Sequence, residues 1–197
     1  MMVKICGITN REDALAAVEG GAAALGFNFY PRSPRYLDPE RAAELIAAMP
    51  AGVWKVGVFA NEPPERIIEL AHRLGLDVVQ IHGDEVRYPA GLRIWKAATV
   101  DENFRLADLD QYPAEAVLLD APAGDAYGGT GRAFDWSKAA GATELKIILA
   151  GGLDAANVRQ AIAAAHPWGV DVCSRIESSP GRKDHVKMAQ FLKEATA

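Results

Sequence analysis

The stretch VWKVGVFANEPPERIIELAHRL, residues 53–74, holds the repeating unit of the fold. Residues 53–59 form an apolar, β-prone run, and Asn61 with two prolines interrupts it. From Pro64 to Leu74 the apolar residues recur at helical spacing, and proline suits the first turn of a helix. Strand followed by helix is the beat of the whole chain. Working outward, residues 3–6 precede a helical stretch at 11–19, and 24–30 precede 39–49. Residues 78–81 lead into only a short polar segment, 84–88. After it, 94–98 precede 102–109, 116–120 precede 135–140, 146–150 precede 155–165, and 169–173 precede 183–195. Eight such units of roughly two dozen residues predict an α/β fold: a single (βα)8 TIM barrel with parallel strands, short loops and a degenerate fourth helix. An open doubly wound sheet is the alternative, and the count of units favours closure.

The chain has 197 residues, half of them apolar, which is enough for one domain over 1–197 with a core that requires no metal or disulfide. No run approaches the roughly 18 apolar residues that span a bilayer, and MMVKICGITN lacks the apolar stretch of a secretory signal. A cytoplasmic protein without membrane contact is expected. The formal charge of −5 argues against nucleic acid as a partner, so an anionic substrate would have to be captured by local positive groups. Cys6 and Cys173, the only cysteines, are too few for a disulfide scaffold and should be thiols in a reducing compartment. A monomer is the default expectation, with a homodimer as the alternative.

In a barrel the C-terminal strand ends open onto the face where active sites are built. The polar residues at those ends are Cys6, Arg35 on the loop after the second strand, Gln80, His82, Asp120 and Asp171. Their convergence on one mouth favours an enzyme over a binding module. A lone cysteine is ordinarily a small buried hydrophobe, but Cys6 ends its strand just before Gly7, where the chain can turn. To act as a base near neutrality its pKa must fall from about 8.5 toward 7, a bias of roughly 2 kcal/mol. Asp120 ends the run AVLLD, where aspartate is often only a cap. A role as general acid requires its pKa to rise from about 3.9 toward 7, or roughly 4 kcal/mol.

Three loops add binding chemistry. LAGGLDAAN at 149–157 places Gly151 and Gly152 between strand and helix, which suits a phosphate cradle as well as an ordinary glycine turn capped by Asp154. YGGTG at 127–131, with Gly128, Gly129 and Gly131, is incomplete as a dinucleotide or triphosphate motif and reads as a lid loop or a connector. Arg35, within PRSPRY at 31–36, has the forked donor set that pairs with a carboxylate.

With KICGIT at 4–9, GFNFYPRSPRY at 26–36, VGVFAN at 56–61, VQIHGDE at 79–85, LLD at 118–120, YGGTGRAFDW at 127–136 and LAGGL at 149–153, the sequence resembles the phosphoribosylanthranilate isomerases of tryptophan biosynthesis along essentially its whole length. The resemblance implies an aldose-to-ketose Amadori rearrangement of N-(5-phosphoribosyl)anthranilate to 1-(2-carboxyphenylamino)-1-deoxyribulose 5-phosphate. It implies a small phosphorylated partner and neither metal nor organic cofactor. Carried over residue by residue, it makes Asp120 the acid at the furanose ring oxygen and Cys6 the base at C2′. Arg35 would contact the anthranilate carboxylate. Gly151, Gly152, Ser174 and Arg175 would hold phosphate, and Gln80, His82 and Asp171 would position the substrate.

One departure concerns the last loop: the family usually has Ser-Ser-Gly after the final strand, whereas this chain has Cys173-Ser174-Arg175. If that glycine requires positive φ, arginine would strain the loop. The rival readings are the histidine-pathway isomerase, which pairs two aspartates, a dual-specificity barrel, and a catalytically silent phosphosugar-binding protein. Cys6 and the Arg35 motif favour the tryptophan-pathway reading.

Overall fold

The computed structural model describes residues 1–83, 88–122, 134–141 and 144–197. Eight parallel strands close into a barrel: β1 (Met2–Ile5), β2 (Ala24–Asn28), β3 (Trp54–Ala60), β4 (Val78–His82), β5 (Ile94–Thr99), β6 (Ala116–Asp120), β7 (Lys146–Leu149) and β8 (Gly169–Val172). Each strand pairs with its sequence neighbours, and β8 returns to β1 with Met2 opposite Gly169 and Ile5 opposite Val172. The expected barrel is therefore the observed one, and the open sheet is excluded. No helix among the described residues is long and apolar enough to cross a membrane.

Period-two alternation sorts the strand residues into two apolar sets. Ala24, Val56, Val78, Trp95, Ala97, Ala116, Leu118, Ile148 and Ala150 fill the inside of the barrel. Residues one position away, such as Ile5, Leu25, Val79, Val117, Leu149 and Val170, pack outward beneath the helices. The inner set is plugged at the N-terminal end by Trp54, Trp95 and Trp168, whose ring centroids are 5.9–6.2 Å apart. Arg93 covers the Trp54 ring and Lys146 the Trp168 ring, at 4.8 and 4.9 Å from their centroids. The C-terminal end is left for polar groups.

The helices are α1 (Arg11–Glu19), α2 (Pro39–Ala47), α3 (Pro64–Leu74), α4 (Val158–Ala165) and α5 (His185–Thr196). Local chemistry sets their ends. Asn10 and Asp38 accept hydrogen bonds from first-turn N–H groups of α1 and α2, and Asp184 does the same for α5. α3 begins with proline and stops at Gly75, which is left-handed at φ 60°. It buries Ile67, Leu70, Ala71 and Leu74 on one stripe.

Several expected helices come out smaller. Instead of a helix at 102–109 there is a 3-10 turn, Leu106–Gln111, followed directly by Tyr112 and Pro113. A residue before proline is biased away from helical geometry, so the turn cannot extend. The expected helix at 135–140 is a 3-10 turn, Trp136–Ala139, capped by the Asp135 side chain. α4 starts at residue 158 rather than 155, because Asp154 and Asn157 exchange side-chain and backbone hydrogen bonds in the preceding turn. Residues 84–87 of the short fourth segment lie outside the described residues. An additional hairpin, β9 (Glu177–Ser179) and β10 (Arg182–Lys183), turns at Gly181 between β8 and α5.

The tryptophan plug supplies stability at the end of the barrel away from the polar mouth. Trp95 is fully buried, so Trp95→Ala is expected to lower the free energy of unfolding in urea by about 3–5 kcal/mol. Ligand capture at the mouth should persist below the transition. A loss under about 1 kcal/mol would show that the plug collapses around the cavity or contributes little.

Candidate active site

The C-terminal mouth encloses a cavity of about 270 Å³. Cys6, Arg35, Gln80, His82, Asp120, Gly151, Gly152, Asp171, Ser174 and Arg175 all line it, so the structure brings together every described residue singled out from the sequence. The glycine-rich stretch expected as a lid, with Gly128, Gly129 and Gly131, lies outside the described residues. The alternation of the strands aims these groups: Cys6, His82 and Asp120 continue the inward faces of β1, β4 and β6 at their C-terminal ends.

Beneath them lies a buried ion pair that the sequence reading missed. Lys4 has no solvent exposure and places Nζ 2.8 Å from Asp171 Oδ1, across the β1–β8 seam where the two residues are in register. Burial works against the ammonium, but Asp171 and Cys6 outweigh it and raise the Lys4 pKa. The partner responds unequally. Burial pushes the Asp171 carboxyl up to about 7 against the pull of Lys4. The signal for Lys4 was available, because in VKIC residues 4 and 6 share one face of a strand.

Cys6 is buried, and its pKa is held well below the ordinary thiol value by a hydrogen bond from Cys173 and the charges of Lys4 and Lys183, against the cost of burial. Asp120 is displaced in the opposite direction, to about 6, by burial and by the nearby Cys6 charge. Its Oδ1 accepts a hydrogen bond from Ala121 N at 2.8 Å. The mouth therefore pairs a thiol biased toward the thiolate with a carboxyl biased toward the acid. His82 is pushed down to about 3 by burial and by Lys4 and Lys96, so it is neutral. It shares a 2.8 Å hydrogen bond with Gln80 Nε2, while the buried Gln80 Oε1 has no partner among the described residues.

Gly151 is required by its neighbours: at φ 73°, a Cβ there would fall 2.7 Å from both Asp120 Oδ1 and Ala121 N. Gly152 follows at φ 66°. Facing them, Ser174–Ile176 form a 3-10 turn. Asn61 and His166 are the non-glycine residues with positive φ among those described, so Arg175 carries none of the strain its replacement of glycine raised as a concern. Its Nε lies 3.9 Å from Asp154 Oδ2, which links the two loops.

Arg35 is already engaged. Nε and Nη2 fork onto the Glu177 carboxylate at 2.8–3.2 Å, and Lys183 Nζ reaches the same carboxylate at 3.0 Å. Glu177 and Lys183 lie in the β9–β10 hairpin. Nothing in the polar run ESSPGRK marked them, since their partners are brought in only by the tertiary fold.

Residues 3–194 match the family model described as N-(5'phosphoribosyl)anthranilate (PRA) isomerase. The chain belongs to the N-(5'-phosphoribosyl)anthranilate isomerase family. An isomerase of that name from Solibacter usitatus is 55% identical over 199 residues, covering 100% of this chain and 98% of the relative. The crystal structure of phosphoribosyl anthranilate isomerase from Thermotoga maritima matches with TM-score 0.89 and 40% identity over 100% of this chain and 98% of that one. A further phosphoribosyl anthranilate isomerase structure, 37% identical with TM-score 0.83 over the same shares, was solved in complex with reduced 1-(o-carboxyphenylamino)-1-deoxyribulose 5-phosphate. The isomerase barrel is thus shared over its full length.

The ion pair under this isomerase's mouth has a measurable consequence. Asp171→Leu leaves the Lys4 ammonium buried without its carboxylate and should cost about 3 kcal/mol in urea unfolding. The double variant Lys4→Met/Asp171→Leu should regain most of that loss, because two apolar side chains replace the pair. A double variant as unstable as the sum of the singles would show that the two residues act independently.

Proposed function

We infer that this isomerase converts N-(5'-phosphoribosyl)anthranilate to 1-(2-carboxyphenylamino)-1-deoxyribulose 5-phosphate by acid–base catalysis between Asp120 and Cys6. The observation that carries the reading is the opposed bias of these two groups on one cavity: Asp120 is held toward its protonated form and Cys6 toward its thiolate. An aldose-to-ketose rearrangement needs that combination. Asp120 protonates the furanose oxygen as the ring opens to a Schiff base, and Cys6 then removes the C2′ proton to give the enolamine. Tautomerisation to the ketone completes the reaction without net gain or loss of atoms.

The remaining lining residues fit the two ends of the substrate. Gly151, Gly152, Ser174 and Arg175 surround the phosphate position with backbone N–H groups and one cation. Arg35, held by Glu177, turns toward the anthranilate carboxylate, and the unpartnered Gln80 Oε1 accepts from a sugar hydroxyl. The cation at 175 offsets a net negative chain at the one place where an anion must bind.

The deciding experiment is turnover of N-(5'-phosphoribosyl)anthranilate generated in situ, followed by loss of its fluorescence, beside the histidine-pathway aminoaldose. Turnover of the anthranilate compound is expected, and exclusive turnover of the other substrate would overturn the reading. Cys6→Ala and Asp120→Asn should each fold with unchanged circular dichroism and lose at least ~100-fold in kcat. A variant with near-normal turnover removes that residue from the mechanism.

The pH profile adds a separate check. The reaction requires Asp120 protonated, so kcat/KM should decline as pH rises through about 6, the value to which burial raises this carboxyl. The thiolate side imposes the acid limb, displaced below the usual thiol range by the groups around Cys6. A profile flat from slightly acid to alkaline pH would exclude Asp120 as the acid.

A further inference from the structure

Glu177 does not line the mouth cavity, whereas the arginine it holds does. Its carboxylate is buried, with 4% of the side chain exposed. Arg35 forks onto it at 2.8–3.2 Å, Lys183 Nζ meets Oε1 at 3.0 Å, and Gly181 N donates to the same oxygen at 3.3 Å. The hairpin that carries Glu177 is itself tied down at the start of the chain. Thr9 Oγ1 donates to the Gly181 carbonyl, and Lys183 N donates to Asp13 Oδ2 at 2.8 Å. The carboxylate is therefore a fixed point behind the cavity wall.

What it fixes is one edge of a planar group. The fork takes the Nε hydrogen and one hydrogen of Nη2, and among the described residues the Arg35 side chain makes no other hydrogen bond. The end of the guanidinium, with the Nη1 hydrogens and the second Nη2 hydrogen, remains to meet another carboxylate bidentately. The stem is constrained as well: a Cβ on Gly7 would fall 2.8 Å from Arg35 Cδ and 3.5 Å from Cγ, so the side chain lies against the backbone turn that follows Cys6. Held at the stem by Gly7 and along one edge by Glu177, Arg35 has a single edge left for the cavity it lines.

We propose that Glu177 is a positioning residue that sets the selectivity of this mouth for an aryl carboxylate, by aiming the free edge of Arg35 from outside the cavity. The inference rests on the reading of Arg35 as the partner of the anthranilate carboxylate and goes one step behind it. Charge alone makes the opposite prediction: removing the Glu177 carboxylate leaves more positive potential at the mouth and should tighten a carboxylated ligand. Loss of positioning weakens that ligand instead, because the arginine must then be ordered at each binding event.

The test is calorimetric binding to the full-length protein of reduced 1-(o-carboxyphenylamino)-1-deoxyribulose 5-phosphate and of the same compound without its ring carboxyl. The ratio of the two Kd values reads carboxylate recognition and involves no turnover. In wild type the carboxylated ligand should bind at least ~30-fold more tightly, the scale of charge-assisted hydrogen bonds. Glu177→Gln should cut that ratio roughly five- to tenfold while the ligand lacking the carboxyl keeps its affinity within about threefold. Glu177→Asp, which retains the carboxylate, should recover part of the ratio. Arg35→Ala should bring it near one, and adding Glu177→Gln to that variant should change nothing further. Glu177→Gln/Lys183→Met runs the same comparison without a buried lysine left unpaired, so the test stands even where the single variant folds poorly. An unchanged or raised ratio in the folded Glu177 variants, or equal weakening of both ligands, overturns the proposal and leaves the reading of Arg35 intact. A wild-type ratio near one would refute the reading of Arg35, and the proposal with it.

Discussion

The closure of β8 onto β1 is the constraint on which the rest of this molecule depends. It puts Lys4 opposite Asp171 and Cys6 beside Cys173, so residues 167 positions apart form one electrostatic unit under the mouth. Burying two charges is costly, and an apolar pair in their place would often be as stable or more so. A pair retained for stability alone would therefore be a poor solution. Its further effect is on the sulfur above it, since Lys4 is among the charges that hold the Cys6 pKa down.

That effect has to be confined if the carboxyl in the same mouth serves as the acid, as proposed. A cation close to Asp120 would lower its pKa, and Lys4 does act in that direction, but burial and the Cys6 charge outweigh it. The two groups are thus coupled with useful sign. The more completely Cys6 is ionised, the more firmly Asp120 holds its proton. In the proposed reaction base and acid would prepare each other, and water exclusion by the barrel wall strengthens both effects.

Much of this was legible in the sequence, for reasons that differ from element to element. The strands were read closely because an inward and an outward face both need apolar residues, as in 116–120, whose limits agree with β6. Cys6, His82 and Asp120 were legible because a strand end has only one place to point. Helices on the second half were harder, since Pro113 and the side-chain bonds of Asp135 compete locally with helical geometry. Lys4 was readable in principle from its spacing to Cys6, yet a lysine inside a barrel contradicts the usual burial preference. Glu177 and Lys183 were not readable, because their meaning comes from Arg35 and Cys173, and no short-range pattern connects those positions.

The Glu177 fork on Arg35 shows how far that tertiary coupling reaches. Arg35 comes from the β2–α2 loop and Glu177 from the hairpin after β8, so their contact crosses the mouth beside β1. An arginine left free there would be long, mobile and costly in side-chain entropy to immobilise on each binding event. With Nε and one terminal nitrogen already bonded, that cost is met during folding, and the remaining N–H edge of the guanidinium is presented at a fixed angle. Glu177 also joins Lys183, which in turn contacts Cys173. Arg35 and Cys173 are consequently fastened to one carboxylate, so a displacement of the hairpin would disturb both sides of the mouth together.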